Sequence, residues 1–207
     1  MNSLELRIPD TTHPGGNVMA WKERDFEEKL HGHVDWIYKV EFPSIADVER
    51  IERDATGDRL LMDKCLGIDT LLHFDNGSVV TVQEKCRRHK WLRHDELTFE
   101  YYNDPARSIK GEWFHNVAQL LFYGYANQVG NGIKKYYILK MFPLRMFLND
   151  GGKEHLRMLQ NWPPAKSNFY TIPFNSIPLH CFWSRGEPRG HVTFHDEEDL
   201  PLLHEFW

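Results

Sequence analysis

The sequence predicts an α/β protein in which helices flank a mixed β-sheet. Three observations predict this class: apolar residues at helical spacing after Ser44, a β-hairpin pattern at Asp75-Asn76-Gly77, and a helix-like segment from Glu112 that precedes another strand. Helices and strands in this order are typical of a sheet with helices packed on its faces.

Composition and charge narrow the possible functions. The chain has 207 residues, 41% of them apolar, with 25 Lys plus Arg against 30 Asp plus Glu and a formal net charge of −5. This balance indicates a globular protein and excludes a uniformly basic nucleic-acid coat protein, although a local basic groove is still possible. Three cysteines without a CxxC pair predict neither a disulfide framework nor a zinc ribbon.

Hydropathy excludes a membrane-spanning role. Charged and polar residues interrupt every apolar run well before the roughly 20 residues that a transmembrane helix needs. Glu5, Arg7 and Asp10 interrupt the N-terminal region, so no secretory signal is predicted there. We therefore expect a cytoplasmic protein without a membrane partner.

Residues 1–43 are rich in Gly, Pro, His and charge, and they predict an N-terminal arm. The core is expected over residues 44–145, beginning with a helix that Ser44 caps and Gly57 ends. Glu49 and Glu52 would lie three positions apart on one face of this helix.

Three strand-like runs follow, at residues 59–65, 68–74 and 78–86. Asn-Gly between two β-prone runs is the strongest short hairpin pattern, so the second and third runs should pair. Alternation along the third strand places the side chains of Gln83 and Lys85 on one face and the side chain of Glu84 on the other.

The remaining elements are a strand at residues 97–102, a helix at 112–126 and a strand at 135–141. Residues 146–207 are less regular and are expected to form an extension packed on the core, with a short strand near residues 169–174.

The hairpin brings together residue types that suit phosphodiester chemistry. It would place Asp69 next to Gln83 and Lys85, so that a carboxylate, an amide oxygen and an ammonium group converge. Carboxylates and neutral oxygens bind Mg²⁺, and a lysine can offset the charge that develops on phosphate during hydrolysis.

Gly67-Ile68-Asp69 followed by Gln83-Glu84-Lys85 resembles the PD-(D/E)XK nuclease superfamily, which has the restriction-endonuclease-like fold. The resemblance is closest to phage and bacterial branches with Gln in place of the first acid of the (D/E)XK element. It covers residues 44–145 and extends to the order of helices and strands. It implies a phage or bacterial endonuclease that uses Mg²⁺ or Mn²⁺, acts on nucleic acid, most simply DNA, and forms a homodimer in many members.

The resemblance also implies site residues. Asp69 matches the metal-binding acid, Gln83 the altered acid position and Lys85 the catalytic lysine. Glu52, or less favourably Glu49, matches the helix glutamate. Further metal ligands are Asp63, on the preceding predicted strand, and the backbone carbonyl of Glu84.

Two further features of the sequence bear on the nuclease interpretation. Gln83 lowers the negative charge of the site by one, which leaves open a nuclease fold that binds nucleic acid or protein without cutting. The basic run after Lys85 supplies Arg87, Arg88 and Lys90 as candidate phosphate contacts. A purely structural or interaction protein is a third possibility, suggested by the net acidic charge and the 13 Phe, 7 Trp and 8 Tyr.

Overall fold

Two β-sheets with helices packed against them make up the described part of the chain. The computed structural model describes residues 25–51, 57–161, 166–188 and 192–193. The longer α-helices are α1 His31–Glu41, α2 Asp58–Leu66 and α3 Met141–Asp150. The strands are β1 Ile45–Arg50, β2 Thr70–Phe74, β3 Val79–Arg87, β4 Glu96–Asp104, β5 Ile109–Lys110, β6 Leu120–Ala126, β7 Ile133–Lys140, β8 Arg157–Gln160, β9 Asn168–Pro173, β10 Phe182–Gly186 and β11 Val192–Thr193.

The larger sheet is mixed, as the sequence predicts. Its strand order is β1-β2-β3-β6-β7-β10-β11. The strands β3 and β6 pair in parallel, whereas the other neighbours in this sheet pair antiparallel. The prediction of an α/β protein with a mixed sheet is therefore confirmed.

The smaller sheet is antiparallel and has the order β5-β4-β9-β8. Its strands β4 and β5 belong to the long connection between β3 and β6. The connection is long because parallel neighbours cannot be joined by a tight hairpin. This excursion places the smaller sheet next to one end of β3.

The core lies on both faces of the larger sheet. On one face, Leu30 and the α1 residues Val34, Ile37 and Tyr38 are buried with residues of β3 and β6 such as Val82 and Phe122. On the other face, α3 and the smaller sheet pack against β6 and β7. Complete burial of both faces explains why every residue of β6 is apolar or Gly, a run of Leu, Phe, Tyr, Gly and Ala.

Three secondary-structure predictions are wrong. The segment after Ser44 is the strand β1, which pairs with β2, and not a helix. Residues 59–65 belong to the helix α2, which ends at Gly67 in the left-handed conformation (φ 63°). The predicted helix at 112–126 is a short 3-10 turn, Glu112–Phe114, followed by the buried strand β6. In each case a short apolar run fits both periodicities, and the pairing partner decides between them.

The other predicted strands are confirmed. The hairpin of β2 and β3 has its turn at Asp75-Asn76-Gly77, and Gly77 has a φ of 82°. Strands also occur where they were expected near residues 97, 135 and 169.

The predicted domain boundaries at residues 43 and 145 stay predictions, but elements from both sides of these boundaries contribute to the core and the sheets. Helix α1, which falls in the expected arm, contributes to the core. Strands β8 to β11, from the expected C-terminal extension, complete both sheets. Within the described ranges, no helix is long and apolar enough to cross a membrane.

Candidate functional site

Asp69 lies at the entry to β2, where the chain leaves α2. Its backbone N–H donates to the carbonyl of Val82 (2.9 Å), and its Oδ2 accepts from the backbone N–H of Glu84 (2.7 Å). Gly67 makes this entry possible because its φ is positive and because a Cβ would lie only 3.2 Å from Asn116. The carboxylate is thus fixed against the neighbouring strand.

Gln83 and Lys85 extend from β3 on the side that faces the smaller sheet. Asp69 and Lys85 line one cleft of about 580 Å³. Of the three groups expected to converge, the structure brings Asp69 and Lys85 to one cleft, whereas the amide oxygen of Gln83 accepts from Asn116. Asp69 and Lys85 come together because β2 and β3 pair in the register that the hairpin turn sets.

The amide of Gln83 is engaged on both sides. Its Nε2 donates to Oε1 of Glu112, and its Oε1 accepts from Nδ2 of Asn116. Gln83 is also buried, with 6% of its surface exposed. The side chain thus ties β3 to the segment that precedes β6, and its oxygen is already committed to a protein donor.

Glu112 is the site residue that the sequence interpretation missed. Its Oε2 lies 3.6 Å from Nζ of Lys85, and its Oε1 accepts from Gln83. It reaches this position because Gly111 packs on β4, where a Cβ would come within 2.7 Å of the carbonyl oxygen of Glu100. A glycine directly before an acid was the only local pattern that could have drawn attention to it.

Glu84 lies on the opposite face, as predicted. Its carboxylate accepts hydrogen bonds from Tyr38 (2.9 Å), Thr70 (2.8 Å) and Arg50 (2.7 Å) beneath α1. This network lies under α1 and joins that helix to β1, β2 and β3. We therefore interpret its role as structural. The predicted role of the Glu84 backbone carbonyl stays a prediction.

The other predicted carboxylates are placed differently from expectation. Asp63 lies on the helix α2 and not on a strand, yet it lines the same cleft as Asp69. Glu49 lies on β1, where it contacts His73 (2.8 Å) and Arg59. Residues 45–50 of the predicted helix form the strand β1 instead, and Glu52 lies outside the described residues.

Burial and neighbouring charges raise the pKa of Asp69. Removal from water is the largest cause, and the carboxylates of Glu84, Glu112 and Asp63 add to it, so that the pKa reaches about 7. The hydrogen bond from the Glu84 backbone acts in the opposite direction. A carboxyl among like charges is a place where a cation would be favourable.

The basic run is divided between the end of β3 and the loop after it. Arg87 donates to the hydroxyl of Tyr123 (3.1 Å) and to Thr98, on the side of Lys85. Arg88 lies over the ring of Phe26, with its Cζ 4.5 Å from the centroid. Lys90 is exposed beside Trp91. Arg87 is thus the member of this run that lies nearest the site in the fold.

A divalent cation fits the chemistry of this donor set only in part. Carboxylate oxygens of Asp69, Asp63 and Glu112 line one cleft, and they are the hard ligands that Mg²⁺ prefers. Within the described residues, however, no group of three or more His, Cys, Asp and Glu side chains is arranged to hold a metal ion. Mg²⁺ is commonly bound by one or two carboxylates together with water and substrate phosphate, and the cleft can supply that number.

Comparisons with family models, with curated proteins and with solved structures found no match to this chain.

Proposed function

We propose that this protein is a metal-dependent nuclease of PD-(D/E)XK type that hydrolyses phosphodiester bonds, with DNA as the expected substrate. One observation carries the proposal: Asp69, Lys85 and Glu112, which are distant in sequence, line one open cleft next to Gln83. Two carboxylates that can hold a metal ion and an ammonium group that can offset charge on the phosphate are components of metal-dependent phosphodiester hydrolysis.

Glu112 compensates for the missing acid at position 83. The resemblance implies an acid where this chain has Gln83, and the side chain of Gln83 instead donates to Glu112. The sequence pattern implies a carboxylate on β3 itself. In this chain the carboxylate is that of Glu112, which lies beyond the Gln83 side chain. The negative charge of the site is restored from a different element.

The metal contributes Lewis acidity toward a phosphate oxygen and lowers the pKa of a water molecule. Asp69 and Glu112 would hold it, with Asp63 as a further carboxylate on the rim. Lys85 has its ammonium group beside Glu112, where it can orient the attacking water and offset charge on the pentacoordinate phosphate. Arg87 would hold the adjacent phosphate.

The topology is compatible with this proposal. A helix, the antiparallel meander β1-β2-β3 and a strand parallel to β3 occur in this order around the site. A restriction-endonuclease-like core is the finer assignment that belongs to the proposal.

A second candidate is a nuclease-like protein that binds nucleic acid without cutting it. The observation that favours it is the complete engagement of the Gln83 amide by Asn116 and Glu112. If the hydrogen bond from Gln83 holds Glu112 away from a metal ion, the cleft retains its basic residues but lacks Glu112 as a metal ligand.

The two candidates can be separated with three variants of the full chain. Mn²⁺ is titrated calorimetrically into the wild type, Asp69→Asn, Glu112→Gln and Lys85→Met, and each sample is then incubated with linear, circular and single-stranded DNA. A nuclease predicts that the two carboxylate variants lose Mn²⁺ binding and cleavage, whereas Lys85→Met binds Mn²⁺ and loses cleavage. The exposed Glu187, paired with Lys134, gives the matched control Glu187→Gln.

Metal-dependent cleavage that persists in Asp69→Asn would overturn the proposed assignment. DNA retention by the wild type without Mn²⁺ binding or cleavage would instead establish the non-cutting candidate.

A further inference from the structure

A second cavity of about 420 Å³ lies between the two sheets, beside the cleft. It is enclosed by β3 and β6 on one side and by β4, β9 and β8 on the other. This volume falls within the roughly 300–1,000 Å³ that is typical of small-molecule sites.

The floor of this inter-sheet pocket carries hydroxyl groups. Thr98 and Thr171 are directly opposite each other in the pairing of β4 with β9, and Tyr123 contacts Thr98 (3.0 Å). Thr171 is 1% exposed, and its Oγ1 has no hydrogen-bond partner among the described residues. A buried hydroxyl without a partner costs free energy, so it indicates a position where a ligand can supply the missing bond.

The walls and the mouth are aromatic and apolar. Phe169 and Leu159 lie on neighbouring strands, and Trp91 with His94 stands at the mouth, with their ring centroids 5.8 Å apart. Trp91 is 46% exposed, and the ammonium group of Lys90 lies 5.2 Å from the centroid of its ring. Flat walls above a polar floor suit a planar heteroaromatic ring.

Charges in the pocket are largely paired. Arg157 contacts Glu96 (3.1 Å), and Arg87 is held by Thr98 and Tyr123. The interior therefore suits a neutral polar ring, because Arg157 is neutralised by Glu96 and the groups around Arg87 are uncharged hydroxyls. The phosphate of a nucleotide would remain outside, toward Lys85.

The pocket and the cleft are adjacent and share part of their lining. Lys85, Glu100 and Glu112 line both of them. A group bound in the pocket is thus adjacent to the residues that would act on a phosphodiester.

We propose that the inter-sheet pocket binds an unpaired nucleobase next to the scissile phosphate, so that the substrate is single-stranded or splayed nucleic acid. A base inside a duplex is stacked and paired and cannot enter such a pocket without leaving the helix. Threonine hydroxyls both donate and accept, so the pocket accommodates different bases without selecting a sequence. This inference rests on the proposed function and adds its substrate class.

The first test compares strands that differ only in their bases. Fluorescence anisotropy in a chelator at low salt measures binding of an oligothymidylate strand, of a strand of abasic sites of equal length, and of a duplex of equal length. The thymidylate strand should bind about tenfold more tightly than the abasic strand, the size expected for a stacked base. It should also bind more tightly than the duplex.

The second test uses matched variants. Thr171→Val should weaken binding of the thymidylate strand about fivefold, as loss of one hydrogen bond predicts, and leave binding of the abasic strand unchanged. Ser184→Ala is its control, because Ser184 is also buried and its hydroxyl has no partner in the described part of the chain, but it lies on β10, outside the pocket.

Trp91→Ala provides an independent variant, with an expected loss of about tenfold. Trp36 is also 46% exposed and also contacts a histidine ring, but it lies on α1, so Trp36→Ala should bind like the wild type.

The outcomes separate this inference from the proposed function. Equal affinity for thymidylate and abasic strands, with metal-dependent cleavage intact, would overturn the pocket and leave the nuclease standing. Tighter binding of the duplex would overturn the substrate class. No retention of any strand would overturn both.

Discussion

Replacing Asp69 by asparagine is expected to stabilise the fold at alkaline pH. The pKa of the carboxyl rises from the ordinary 3.8 to about 7, chiefly because the group is buried. At about 1.4 kcal/mol for each tenfold change in the ionisation constant, this corresponds to about 4 kcal/mol that the ionised form costs the folded state. Asp69 retains some contact with solvent, which lowers the expected gain to about 2–3 kcal/mol.

The sign of the pH dependence follows from proton linkage. Between about pH 4 and pH 7 the folded chain retains a proton on Asp69 that the unfolded chain releases. The stability that this proton contributes is fully present below about pH 4 and is lost as the pH rises through about 7. Asparagine cannot ionise, so the variant lacks this loss, and its advantage should grow from near zero at about pH 4 to its full value at about pH 8.

Urea denaturation of the wild type and Asp69→Asn across this pH range measures the effect. Asp47, an exposed aspartate on β1, gives the control Asp47→Asn, which should follow the wild type. Mn²⁺ should raise the midpoint of the wild type at about pH 8 and leave that of Asp69→Asn unchanged, because only a bound ion stabilises the folded state. An advantage of Asp69→Asn that is equal at both ends of the range would refute the reasoning.

Three further outcomes are expected. Gly67→Ala should lower the free energy of unfolding by about 2–3 kcal/mol, and Gly77→Ala by about 1 kcal/mol, because both have positive φ but only Gly67 is packed against Asn116. Equal losses in urea denaturation would contradict that contact. Arg50→Met should cost about 3 kcal/mol, since it leaves Glu84 buried without its cation, and a loss below about 1 kcal/mol would argue against the network. Binding of single-stranded DNA should weaken steeply with added salt, and a flat titration would contradict phosphate contacts.

Local patterns determined which parts of the fold could be predicted. The hairpin of β2 and β3 was predictable because Asn76-Gly77 fixes both the turn and the register, and the register places Gln83 and Lys85 on one face. The segments that became β1, α2 and β6 were assigned wrongly because their apolar residues fit either period. Their state depends on distant partners, such as β2 for β1 and β3 for β6.

The same distinction between local patterns and distant contacts applies to the residues of the site. Asp69 and Lys85 could be placed from the hairpin alone, and the structure brings both to one cleft. Glu112 could not, because its position depends on Gly111 packing against β4 and on a hydrogen bond to Gln83 from 29 positions away. A contact between segments so far apart leaves no periodicity in the sequence.

The parallel pairing of β3 with β6 also has a consequence for the order of folding. These strands are separated by the whole excursion that contains β4 and β5, so the chain must close a loop of that length before their hydrogen bonds form. The hairpin of β2 and β3, by contrast, closes over a few residues and is expected to form early. Lys85 and Asp69 are therefore brought together by a rapid local step, whereas Glu112 arrives with a slow, non-local one. A refolding experiment should accordingly detect native hairpin structure before the cleft acquires the carboxylate of Glu112.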